Sequence, residues 1–136
     1  MIGDFQLVAW KSKETRIREE KEYEKWAFPY GQNQREKITA LLQSVFPREN
    51  ATMALFTYLT CRELYENALK IYENRDTAIN KMLSGEKRYK SLISKKYLPL
   101  YLAIVLSNEE VDEDVGYPDA ETITWRAEQL KKRMPF

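Results

Sequence analysis

The chain has no histidine, one cysteine, four glycines and five prolines in 136 residues, and each scarcity removes a class of chemistry or structure. Without histidine it cannot build a Ser-His-Asp or Cys-His nucleophilic site or a His-bearing zinc site, and it lacks the commonest general base near neutral pH. The lone Cys61 can neither close an internal disulfide nor build an all-thiolate metal cluster. Between Leu59 and Leu64 it reads as a small core side chain, which fits a reducing, cytoplasmic location. So few glycines supply neither G-x-x-x-x-G-K-[ST] nor G-x-G-x-x-G, the two common phosphate-cradling loops.

Long apolar runs are missing too. The most apolar stretch, Tyr97 to Leu106, has ten residues and contains Pro99, far short of the ~20 a helix needs to cross a bilayer. It reads as core, and no membrane partner is expected. The opening MIGDFQLVAWKSKE lacks the basic start, apolar stretch and small-residue cleavage site of a secretory leader.

What is present is a helical composition. Hydrophobic residues make up 43% and charged residues 32% of the chain, proportions that can bury a core, whereas disorder goes with fewer large apolar side chains and more net charge. Glu, Lys, Leu, Arg and Ala are abundant where breakers are rare. The expectation is one all-α domain over 1–136, a compact bundle of about five or six helices, with residues 1–28 able to form a protruding N-terminal arm.

Periodicity locates the helices. Phe5, Leu7 and Ala9 alternate like a strand, while Phe5, Val8 and Ala9 fit a helical face after Asp4; helix is preferred. Residues 13–26 are densely charged and predict a solvated helix. Phe28-Pro29-Tyr30-Gly31 is turn punctuation, and after it Ile38, Leu41, Leu42, Val45 and Phe46 make one apolar face ending at Pro47.

Asn50 is a suitable N-cap for a long helix carrying Ala54, Tyr58, Cys61, Tyr65, Ala68 and Tyr72. Met53, Phe56, Leu59 and Ile71 broaden its face, which predicts a central helix packed by several neighbours. Asp76 could cap a shorter helix closed by Gly85. Pro99 divides 87–106 into two helices. Residues 107–119 read as an acidic loop, and Asp119 caps a last helix from Ala120 to Arg133.

Charge is more informative locally than in total. The chain carries a net +1, yet residues 81–98 hold Lys81, Lys87, Arg88, Lys90, Lys95 and Lys96 against Glu86 alone, a balance of +5. Residues 99–120 hold Glu109, Glu110, Asp112, Glu113, Asp114 and Asp119 without a cation, a balance of −6. Such blocks suit mutual neutralisation within the molecule or contact between copies. The acids do not match a calcium loop, because Val115 and Gly116 follow Asp114 and no closing Glu is spaced to complete it. No metal or other cofactor is implied.

Two candidate interaction surfaces follow. Trp10, Trp26, Phe28 and Tyr30 stand along or just after the charged N-terminal segment, where aromatic anchors amid polar residues suit a protein contact or a hinge stapling the first helix. Lys87, Arg88, Lys90, Lys95 and Lys96 form a basic face; Tyr89 and Tyr97 between them could stack bases, but at helical spacing they belong with the core. A helix-turn-helix around Gly85 fits poorly, since Lys81 and Ser91 occupy positions where small and apolar side chains are wanted. The expected role is a non-enzymatic helical module that binds another protein or itself, as a homodimer for example. Nucleic-acid binding through 81–98 is the alternative, and an enzyme with carboxylates dispersed along the chain is the third reading.

Overall fold

Ile38, Leu41, Leu42 and Phe46 are all buried, the outcome expected when apolar residues recur every three or four positions and only one face of a helix can leave water. In the computed structural model, residues 13–90, 93–111 and 116–135 are described. The choice between helix and strand over 5–10, Trp10 and the acids Asp112, Glu113 and Asp114 lie outside the described residues. The described residues form seven helices and no strand: α1 Lys13–Ala27, α2 Gln32–Val45, α3 Ala51–Tyr72, α4 Arg75–Leu83, the single turn α5 Lys87–Lys90, α6 Leu98–Glu109 and α7 Ala120–Lys131. The all-α reading holds. None of these helices is long and apolar enough to cross a membrane.

The chain divides into two compact units, residues 1–36 and 37–136. In the first, α1 is charged and exposed as its composition dictates, with Glu14 in its first turn and Lys25 in its last, each matching the helix dipole. Tyr23 and Trp26, one turn apart, bring their rings to 5.4 Å. Gly31 takes φ +87° and donates its N–H to the Phe28 carbonyl at 3.0 Å, making the turn that the sequence marks. The Gln34 side chain accepts the Tyr30 N–H at 2.9 Å, and Arg35 reaches back to Glu24 at 3.2 Å.

In the second unit the caps explain the helix boundaries. Asn50 accepts from the N–H groups of Thr52 and Met53, and Asp119 from that of Thr122, each satisfying donors that a helix start leaves open. α4 departs from expectation. Its cap is Asn74, whose side chain accepts the Thr77 N–H at 2.9 Å, and Asp76 lies inside the first turn, too far along to reach back to that amide. Gly85 has φ +83° just after α4, as predicted.

The centre of the unit is α6 rather than α3. Nine of the twelve residues of α6 are buried, because Leu98 to Leu106 is apolar on every side and a helix of that kind must be covered all round. Pro99 sits in its first turn, where the missing N–H costs nothing, so the proline starts a helix and separates it from α5. α3 and α7 both pack on α6, and α4 packs on α3. α3 covers α6 with Ala54, Tyr58, Cys61, Tyr65 and Ala68 on its buried side and leaves Met53, Phe56 and Ile71 exposed. Of the four residues that broaden its apolar face, Leu59 is buried and the other three are exposed, so its neighbours α4 and α6 cover only part of that breadth. α6 also runs two residues past Ser107, into the stretch expected as loop, since Ser107 is buried and held by Arg126.

Candidate binding recess

The lead-in to α6 is a hydrogen-bonded turn. Tyr97 and Leu98 both donate their N–H groups to the Ser94 carbonyl at 2.9 Å, which sets Lys95 and Lys96 on the surface just ahead of the helix. The exit from α7 is tightened in a similar way: Arg133 N–H donates to Leu130 at 3.0 Å and Met134 N–H to Lys131 at 3.1 Å. These two turns, far apart in sequence, meet in space. Ser94, Lys95, Lys96 and Pro99 from the first and Lys131 and Met134 from the second line a surface recess of about 450 Å³.

Beside it lies a much smaller hollow of about 20 Å³, walled by Met82, Leu83, Ile93 and Leu98, with Lys95 and Met134 lining both spaces. The recess thus has three lysines at its rim, Pro99 and Met134 on its floor, and an apolar pit adjoining that floor.

The charged side chains among its described lining residues are all cations. Lys95 and Lys96 precede the N-terminus of α6, the positive end of that helix dipole, so two cations stand where anions are favoured. Lys131 in the last turn of α7 suits its own helix but adds a third cation to the same space. Lys96 also lies 5.4 Å from the centre of the Tyr97 ring, whose face attracts it.

The other end of α6 is constructed differently. Arg126 of α7 donates to Ser107 Oγ at 3.0 Å and, through Nη2, to both carboxylate oxygens of Glu110 at 3.2 and 3.0 Å. Arg75 of α4 approaches Glu109 at 3.9 Å and Glu110 at 3.7 Å. Tyr65 donates weakly to Glu109 at 3.5 Å. Burial holds the Glu109 carboxyl above the usual carboxylate range, against the opposing pull of Arg75 and of the Tyr65 hydroxyl. A hollow of about 220 Å³ here has Ser107, Glu110, Tyr117, Thr122 and Arg126 in its wall, but its cation and its anion are already bonded to each other.

Among the described residues, ion pairs of the two charge blocks run to other partners. Glu109 and Glu110 of the acidic block take arginines from α4 and α7, and Lys81 of the basic block pairs at 3.2 Å with Glu86 inside its own segment. Of the basic-face candidates, Lys95 and Lys96 enter the recess, Arg88 is exposed on α5, and the side chains of Lys87 and Lys90 lie outside the described residues. Tyr89 is buried, and Tyr97 is half-buried with its ring edge-on to Phe46 at 5.8 Å. Of the N-terminal aromatics, Tyr30 is 67% exposed, Trp26 is half-buried beside Tyr23, and Phe28 is buried with the Arg35 guanidinium 5.6 Å from its ring.

Sequence reasoning missed Lys131, Pro99 and Met134 as parts of a site. Lys131 falls near the end of the last predicted helix, and nothing in a linear reading brings residue 131 to residue 95. It also passed over Trp125, which stands 64% exposed on α7. Among the described residues no three carboxylate or thiol groups converge in a way that could hold a metal ion. Burial pushes the Cys61 thiol far up from its usual range, which leaves it a core side chain with little thiolate character. Comparisons with protein families, with curated proteins and with solved structures find no match for this chain.

Proposed function

We propose that this chain is a non-enzymatic helical interaction module whose recess beside the start of α6 captures an acidic segment of a partner protein. The observation that carries this reading is the convergence of Lys95, Lys96 and Lys131 around one hollow with an apolar floor. Three cations around one hollow, two of them just ahead of a helix N-terminus, make a positive surface that a carboxylate-rich segment complements. The Pro99 and Met134 floor adds apolar contact, a combination found where protein partners meet.

A nucleic-acid partner is the second reading, and a specific observation disfavours it. Single-strand binders line a cationic track with aromatic faces on which bases stack, whereas here Tyr89 is buried and Tyr97 is turned against Phe46. The lysines also surround a single hollow, while affinity for a polyphosphate grows with the number of phosphates contacted along a track.

The test is fluorescence anisotropy with two labelled probes, an oligoglutamate peptide and a single-stranded RNA of similar charge. The expected result is binding of the peptide that weakens with salt and falls at least about tenfold in K95Q/K96Q/K131Q, a loss of about 1.4 kcal/mol. Preference for the RNA would favour the second reading, and peptide binding indifferent to the triple substitution would remove the recess from the account.

A further inference from the structure

α7 buries Ile123, Ala127 and Leu130, and the stripe on its opposite side is Glu121, Trp125, Glu128 and Lys132, all four exposed. Charged residues are the ordinary furniture of a solvated helix face. The indole among them is not: it stands 64% exposed, although tryptophan is highly buried on average and is enriched among the residues that dominate protein contacts. The intervals along the stripe are four, three and four residues, the same from either end. Its ends carry opposite charge, with Glu121 in the first turn of α7 and Lys132 as the C-cap, still in helical conformation.

We infer that this face of α7 pairs with the same face of a second copy of the chain, antiparallel about a two-fold axis. Because the spacing is the same in both directions, one register sets Glu121 against Lys132 of the second copy on each side of the axis, and Trp125 against Glu128 of the second copy. The two indoles then lie side by side at the centre. Each indole N–H can donate to the carboxylate it faces, which gives Glu128 a partner where two carboxylates draw near each other. A parallel pairing would set Glu121 on Glu121 and Lys132 on Lys132 and align the helix dipoles, whereas the antiparallel one matches opposite charges and opposes the dipoles. Such a contact is self-complementary and closes at two copies. One face of a twelve-residue helix buries less than the roughly 800 Å² per partner of a standard interface, so the dimer is transient and forms at high protein concentration. It uses none of the residues that line the recess and stands apart from the acidic-segment reading.

Sedimentation equilibrium of the full chain, carried to millimolar concentration, reads the association. Expected is a monomer–dimer equilibrium whose dissociation constant rises at least about tenfold in W125A and is unmoved in K95Q/K96Q. E121K leaves only cations at the two end positions of the stripe and K132E only anions, so each variant alone is expected to stay monomeric, while an equimolar mixture forms a heterodimer in which every lysine at these positions faces a glutamate. All three substituted positions are exposed, and far-UV circular dichroism checks that each variant keeps its helices. A wild-type chain that stays monomeric throughout would overturn the proposal. So would a dimer indifferent to W125A, a dimer lost in K95Q/K96Q, charge variants that dimerise alone as well as the wild type, or a mixture that associates no better than its components.

Discussion

The two ends of α6 carry opposite charge, and both are charged against the helix dipole: lysines precede its N-terminus, and glutamates close its C-terminus. At the glutamate end the fold supplies the remedy itself, with Arg75 and Arg126 arriving from α4 and α7 within 3.0 to 3.9 Å of Glu109 and Glu110. At the lysine end α7 brings a further cation, Lys131, to the same hollow. α6 and α7 thus make a charge-paired contact at one end and gather three lysines around a hollow at the other.

The largest effect should come from the element that holds both ends in place. Leu102 is fully buried midway along α6, and Leu102→Ala should cost about 2–5 kcal/mol by the cavity it leaves, read as a lower urea midpoint. Phe56→Ala on the exposed face of α3, 64% exposed, should stay within about 0.5 kcal/mol. Similar losses from both would mean that α6 is not the centre.

Breaking the arginine end should cost less. Arg126→Ala leaves Ser107 and Glu110 without their shared donor; since Glu110 is half exposed, water takes over part of the task, and about 1 kcal/mol is expected. K95Q/K96Q at the lysine end should leave stability unchanged or raise it by up to about 0.5 kcal/mol, by removing cations from the positive end of a dipole. A destabilisation equal to that of Arg126→Ala would show that these lysines serve the fold and would dissolve the contrast between the two ends.

The contrast also has a pH signature. Burial raises the Glu109 carboxyl above its ordinary value of 4.5, so between that value and the raised one the folded chain binds more protons than the unfolded chain. Stability from this group is therefore full below the ordinary value and declines as pH rises through the folded one. E109Q should remove that decline, gaining on the wild type at neutral pH relative to acid pH in urea midpoints measured across the range. Asp119 acts with the opposite sign. The Thr122 amide holds it below its ordinary 3.8, so its contribution is present above that value and is lost as pH falls through the lower folded one; D119N should shrink the acid-side loss.

Much of the fold was legible because it is written in local periodicity: the charged α1, the apolar face of α2, the caps Asn50 and Asp119 and the Gly85 stop are properties of neighbouring residues. The rank of the helices was not. α3 has the longest apolar pattern, but which helix lies at the centre depends on how many sides are covered, and the all-round apolarity of Leu98 to Leu106 outweighs length. Asn74 and Asp76 both qualify as caps by type; only backbone geometry chooses Asn74. The site was half legible, since Lys95 and Lys96 stand in a visible basic block, whereas Lys131 and Met134 reach them by tertiary packing alone. Arg75 and Arg126, single cations in unremarkable stretches, reach Glu109 and Glu110 only through the packing of α4 and α7.

The most direct test of the central claim is to titrate the oligoglutamate peptide into isotopically labelled protein and map which end of α6 responds in amide shifts. The account predicts changes grouped at Ser94 to Leu98 and Lys131 to Met134, with Ser107 to Glu110 and Arg126 still. Changes grouped at the arginine end, or spread evenly over the charged surface of the molecule, would contradict it.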